Sequence, residues 1–445
     1  MTKSSERLWL VGILVVATVL RGGWLIVNHH NEGNYWGHSL NAADMAMQLV
    51  WHGEIGQFDP RLSEKYHGMA KQENRLIDPE ELDAIDSQPR KLVHNYEDEI
   101  GLALIMGLVW KFVGQMRFIY VQILQVCLDL VCCALFYFSG KKLFRNPSLG
   151  LACAASYALN PLQIYLVSFP TPYPWMVFLS VVLIFILVQY FADRMMSFGR
   201  QMLAAIMLGL AIGLTTWIRS GAALVIIPVA IAIVMLARGR NAWALVLAMC
   251  VIEVAVVSPL LVRNYMLFGE PRVTRGVFWH TMWGGLGAHE NPFGVVMEDN
   301  RVAEMVLSEH PGITKYGPEY EAVLRGWYVR ALQSHPGWFV RAMGERLWWL
   351  VWPIMPKMAS FYTAPLWALA LWGCRTAVGK YRIGWQKLIA LGLPSFYFFL
   401  VVIAVTAPNY KYVAPGYTYL IMLAGIALFA LHERFQGRCH YEDSL

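Results

Sequence analysis

The 445-residue chain is 57% hydrophobic, only 15% charged, and carries a formal net charge of +6. A soluble globular protein is nearer half apolar and a quarter charged, so this composition excludes an ordinary soluble multidomain protein. The basic surplus is no nucleic-acid signal: much of the Lys and Arg sits in short loops between apolar runs, where it reports membrane topology.

A helix needs about twenty apolar residues to cross a bilayer. In chain order the candidates are Leu8–Val27, Phe118–Ser139, Leu149–Ser168, Pro174–Phe191, Met202–Ile218, Ala222–Leu236, Ala242–Leu261, Phe361–Cys374, Leu388–Thr406 and Tyr417–Leu431. The first follows Lys3 and Arg7. Arg21-Gly22-Gly23-Trp24 offers no small-residue cleavage site, so an uncleaved anchor is expected. Basic clusters at Lys141/Lys142/Arg145, Arg194/Arg200, Arg238/Arg240, Arg375/Lys380/Arg382 and Arg434/Arg438 read as cytosolic. The turns at Phe169–Tyr173, Arg219–Gly221 and Ala407–Pro415 are then external. Ile100–Val113 is apolar but short, and counting it as a span would break every later assignment, so it reads as a juxtamembrane helix. The Trp-rich Phe339–Trp352, with Arg341, Glu345 and Arg346, reads as an interfacial helix.

The expected fold is an all-α polytopic membrane protein of about ten transmembrane helices with two large external loops. Residues 1–27 form the anchor, 28–117 the first external loop, 118–262 the transmembrane core, 263–357 the second external loop, 358–432 the C-terminal spans and 433–445 a cytosolic tail. Loops this long are usually functional. Two of them over one face describe a site that faces water yet reaches lipid. All seven cysteines fall in spans or expected cytosolic segments, so no disulfide framework is offered. Asp129 and Glu253 lie inside spans, where a carboxylate marks either an ion path or a contact between helices. The polar stretch Tyr66–Arg90 reads as an exposed insertion.

Several strings resemble the GT-C superfamily of polyprenyl-phosphate-dependent glycosyltransferases, which includes protein mannosyltransferases and the lipid A aminoarabinose transferase. They are Ala158-Leu159-Asn160-Pro161, the run Gly209 to Arg219, the exit Ser258-Pro259 through Arg263-Asn264-Tyr265 to Phe268-Gly269, the Trp/Gly-rich turn around Trp279-His280, and Tyr410-Lys411-Tyr412. The resemblance covers nearly the whole chain through the order and spacing of loose motifs. It implies an inverting transferase that takes a sugar from a polyprenyl-phosphate donor to a glycan, lipid or protein acceptor at the periplasmic face of a bacterial inner membrane. A flippase of lipid-linked sugars, or an O-antigen-type polymerase or ligase, is the alternative; no internal repeat of the transporter kind is found.

Such a transfer needs a carboxylate to take the acceptor's proton and cations for the departing phosphate. Arg219 and Lys411 sit at outer span ends, either snorkelling to headgroups or binding phosphate, and the resemblance favours phosphate. Arg263, Asn264, Tyr265 and His280 join them as candidate substrate-binding residues. The family's Asp position falls near His38 or Ser39, neither acidic, which moves the base to Asp44, with Glu32 upstream. Glu97, in His94-Asn95-Tyr96-Glu97-Asp98-Glu99, is the second catalytic candidate, and with His280 a candidate ligand for a divalent metal. Thr171 stands where relatives often have an acid.

Overall fold

The computed structural model describes residues 2–28, 37–53, 60–73, 76, 81, 100–193, 196–237, 241–273, 278–313, 315, 317–352, 357–405 and 410–442. Among these every regular element is helical. Helix α1 spans Lys3–Asn28, and the first loop holds α2 (Gly37–His52), α3 (Pro60–Glu73) and α4 (Ile100–Val113). Then come α5 (Phe118–Phe144), α6 (Pro147–Ala158), α7 (Pro161–Leu166), α8 (Pro172–Tyr190), α9 (Phe198–Ile218), a 3-10 turn at Ser220–Val225 leading into α10 (Ile226–Ala237), and α11 (Asn241–Phe268). The second loop holds α12 (Phe278–Gly284), α13 (Asp299–Glu309), α14 (Pro318–Ser334) and α15 (Pro336–Val351). Helices α16 (Lys357–Gly379), α17 (Trp385–Val405) and α18 (Tyr410–Glu442) follow.

Eight of these segments are long and apolar enough to cross a membrane: α1, α5, α8, α9, the 3-10 turn with α10, α11, α17 and α18. The protein is therefore an integral membrane protein. The other two expected crossings take different forms. Leu149–Ser168 is broken, because Pro161 lacks the N–H that would continue α6. Asn160 instead caps α7, its side-chain oxygen accepting the N–H groups of Leu162 (3.0 Å) and Gln163 (3.2 Å). Helix α16 runs beside α18 so closely that a Cβ on Gly373 would lie 1.8 Å from the Leu423 carbonyl oxygen. Its start is tied to α15, where the Thr363 hydroxyl donates to Val351 O, and Tyr381 after its end donates to Glu433 of α18.

Polar residues inside the bundle are paired across helices. Arg21 of α1 donates to Asp129 of α5 and to Ala158 O (2.8 Å), while Tyr157 donates to the other oxygen of Asp129. Of the two readings for Asp129, the helix contact is the one the structure shows. Glu253 is buried on α11 where that helix packs on Gly213 of α9. The hydroxyls of Ser180, Ser395 and Thr418 form a further three-helix contact.

One end of the bundle carries both loops. Helix α4 is about 21 Å long, too short to cross, and it packs on α2 with Gly107 against Leu49. Gly101 lies so near the end of α9 that a Cβ there would meet the Trp217 backbone at 2.5 Å. The first-loop core joins Ala43, Met47, Tyr66 and Trp110 to the span residues Phe118, Ile218 and Leu260. Of the stretch Tyr66–Arg90 read as an exposed insertion, the structure describes 66–73, 76 and 81, and there the reading is corrected: Tyr66, Ala70 and Leu76 are buried. The polar residues of that stretch hid an apolar face of helical spacing on α3. The second loop builds its own aromatic core from Trp283, Tyr320, Leu324 and Phe339. At the opposite bundle end, Lys141 and Tyr137 of α5 both donate to Glu6 of α1.

Candidate active site

Three clusters meet at the loop end. The first lies under α2. Residues Ser39 to Gln48 are almost all buried, on every side of the helix; α4 packs along it, and Tyr66 and Ala70 of α3 join the same core. Asp44 is consequently enclosed, and an enclosed carboxylate needs a partner. His67 of α3 supplies one, its Nε2 3.2 Å from an Asp44 side-chain oxygen. Ser39 is buried as well; Glu32 and the whole 94–99 segment, Glu97 included, lie outside the described residues.

The second cluster is built on Tyr173, at the start of α8. Arg219 ends α9 in extended backbone, and its guanidinium carbon lies 5.8 Å from the Tyr173 ring centre. Lys411, in the first turn of α18, places Nζ 5.4 Å from the same ring centre and 5.1 Å from that of Tyr412. Two cations remote in sequence thus share one aromatic platform, an arrangement cation–π attraction favours and like-charge repulsion opposes. An anion between them would relieve the repulsion. Thr171, just before α8, is buried, and its carbonyl accepts from Gln125 (3.3 Å).

The third cluster belongs to the second loop. His280 is buried, with Nδ1 2.7 Å from the Tyr320 hydroxyl and Nε2 3.3 Å from an Asp299 side-chain oxygen. Glu321 accepts the backbone N–H groups of Trp279 (2.8 Å) and His280 (3.2 Å) and so caps α12. Burial pushes the Glu321 carboxyl above its ordinary value, and those two N–H bonds oppose the rise. Asp299 is close enough to act on the charge of Lys411, as is Arg219. The second and third clusters are therefore electrostatically continuous. The first reaches them through packing, since Ala43 and Met45, on either side of Asp44, share one core with Ile218, the neighbour of Arg219.

Arg263, Asn264 and Tyr265 lie near the end of α11. Arg263 donates to Asn264 (2.8 Å), and Asn264 donates to the carbonyls of Arg272 (2.7 Å) and Val273 (3.2 Å), pinning the start of the second loop. Tyr265 is exposed. Among the described residues no three His, Cys, Asp or Glu side chains converge on a metal-sized site, and both ring nitrogens of His280 already face protein partners.

His67, Tyr173, Asp299 and Glu321 went unnoticed in sequence. Tyr173 had a usable signal, an aromatic at an outer turn between Pro172 and Pro174. Glu321 had none, because its bonds reach back some forty residues.

The fold that holds these clusters is GT-C-like. No family model matches the sequence, and no curated protein matches it. Solved structures do match. The oligosaccharyltransferase AglB of Archaeoglobus fulgidus, in complex with an inhibitory peptide and a dolichol-phosphate, aligns with TM-score 0.56 and 12% identity over 99% of this chain and 52% of that one. ArnT of Cupriavidus metallidurans, bound to undecaprenyl phosphate, aligns with TM-score 0.55 and 12% identity over 97% of this chain and 62% of that one. The chain spans about half to three fifths of their lengths.

Proposed function

We propose that the protein is an inverting glycosyltransferase that takes a sugar from a polyprenyl-phosphate donor and delivers it to a glycan, lipid or protein acceptor at the periplasmic face of a bacterial inner membrane. The pairing of Arg219 and Lys411 over Tyr173 carries this reading. A GT-C-like fold whose neighbours were solved with polyprenyl phosphates supports it.

The acceptor hydroxyl attacks the anomeric carbon as the bond from that carbon to the phosphate oxygen breaks. The hydroxyl proton passes to a carboxylate, Asp44 or Glu97, and the polyprenyl phosphate leaves with the bonding electrons. Arg219 and Lys411 meet the charge that grows on the leaving phosphate; removing one such group typically costs about two to three orders of magnitude in kcat. A single carboxylate acting as base suffices for inversion. His67 holds the Asp44 carboxylate in position.

The test is transfer from radiolabelled polyprenyl-phosphate sugars by the purified protein with a membrane extract as acceptor source. Transfer should need no nucleotide sugar. Arg219→Ala and Lys411→Ala should lose donor use while the protein still folds in detergent. Movement of the lipid across vesicles without sugar transfer would replace this reading with a flippase.

A further inference from the structure

Asp299 opens α13, and its side chain is 87% exposed beside the buried His280. A carboxylate only accepts, so the His280 Nε2 that faces it at 3.3 Å carries the ring proton. Nδ1 is then the acceptor for the Tyr320 hydroxyl at 2.7 Å. The two rings lie 5.9 Å apart and 27° from parallel, and Glu321 holds the His280 backbone N–H. A first-turn acid serves the helix dipole without any such backing. Here Tyr320 and His280 fix from behind where one water-facing carboxylate stands.

It stands close to Lys411, which feels the charge of Asp299 and, with the opposite sign, that of Arg219. A negative side chain near a phosphate site opposes the phosphate. Hydrogen-bond donors carried in with that phosphate offset the cost. With the donor's tail in lipid and its phosphate on Arg219 and Lys411, the sugar extends towards the second loop and Asp299.

We infer that Asp299 accepts hydrogen bonds from hydroxyls of the donor's sugar and repels the same lipid once the sugar has left. The inference rests on the glycosyltransferase reading of this site. The donor phosphate is a diester with a single negative charge. The spent lipid is a monoester, with roughly −1.5 to −2 charges at neutral pH and no sugar hydroxyls. Asp299 thus turns from a partner into an obstacle, which keeps the donor and expels the product.

The experiment uses the full chain in detergent and reads apparent affinity from the Tm. The probes are undecaprenyl phosphate and undecaprenyl phosphates that carry glucose, mannose or arabinose. At least one sugar-bearing lipid should bind more tightly than undecaprenyl phosphate. Asp299→Ala should weaken that lipid roughly tenfold and tighten undecaprenyl phosphate roughly threefold. A merely structural role moves both lipids in one direction. His280→Leu should reproduce the opposite shifts, and His280→Gln, which keeps a donor, should reverse them; if His280→Leu does not fold, the exposed Asp299 still decides. Shifts of one sign, no shifts in Asp299→Ala, or undecaprenyl phosphate binding as tightly as every sugar-bearing form would overturn the inference and leave the Arg219 and Lys411 site standing. If no undecaprenyl lipid raises the Tm of the unaltered protein, the glycosyltransferase reading fails and this inference with it.

Discussion

The two long loops attach to the bundle in opposite ways. The first has no separate core: its α2–α4 residues share one with Phe118, Ile218 and Leu260 of the spans. The second is a small helical body around Trp283 and Tyr320, joined to α17 through Arg346. A disturbance in the first loop should therefore reach Arg219 directly. One in the second should first loosen a cap.

Glycines give the sharpest contrast. Gly101→Ala drives a Cβ into the Trp217 backbone at 2.5 Å, whereas Gly284→Ala meets only Val302 at 3.5 Å. Overpacking of the first kind costs about 1–3 kcal/mol, and a larger side chain costs more. Gly101→Leu should prevent recovery of a monodisperse protein, Gly101→Ala should lower the Tm, and Gly284→Ala should leave it unchanged. Size-exclusion profiles and thermal unfolding decide this. Equal tolerance at both positions would mean that the first loop is not bound to α9.

Arg346 is the second loop's fastening. It is buried and donates to Gly285 O (2.8 Å), Ile403 O (3.0 Å) and His289 Nε2 (3.3 Å). Arg346→Met strands two carbonyls, at about 1–3 kcal/mol each where no water replaces the bond. Limited proteolysis should then cut within 263–357 while the spans stay intact. Unchanged protease resistance would move the fastening elsewhere.

His67→Ala should have a smaller effect on stability, about 1–3 kcal/mol for the lost partner of a buried group. It separates the Asp44 reading from a purely structural one. A positioning role predicts a shifted pH profile of kcat with donor KM unchanged, and rescue by His67→Gln. A fall in Tm with no change in the pH profile leaves only the structural role.

Periodicity was enough to read the helical class, most of the apolar spans, and that α4 is too short to cross a bilayer. Arg219 and Lys411 were visible as cations at span ends. Their meeting over Tyr173 was not, because nothing local to either encodes the distance between α9 and α18. The break at Asn160-Pro161 was visible as a motif and still missed as a break, since a continuous apolar run says nothing about cap geometry. Asp44 was chosen as a candidate for its place on α2, where the family's Asp position is not acidic. Its enclosure depends on α3, whose apolar face Tyr66–Ala70 is diluted by Lys65, His67 and Lys71.

The smallest expected effect is a pH response confined to the second loop. His289 Nδ1 lies 2.7 Å from Glu345, its Nε2 accepts from Arg346, and its ring stacks on Trp349 at 4.4 Å. Accepting from Arg346 requires the neutral ring. Burial lowers the His289 pKa, and Arg346 and Arg341 add to that, while Glu345 opposes it. Glu345 itself is held below the ordinary carboxylate value, first by Arg341 and then by His289, so it stays charged through the same window. With the folded pKa below the unfolded value of about 6.5, the unfolded chain binds the extra proton between the two. Stability therefore rises with pH there, is fully present above about 6.5, and is lost as pH falls towards the folded pKa. Thermal unfolding between about pH 7.5 and 5.5 should show a falling Tm and earlier proteolysis of 263–357 at the acid end. His289→Gln should flatten the part of that slope that belongs to the second loop. An unchanged slope would place the acid sensitivity elsewhere in the molecule.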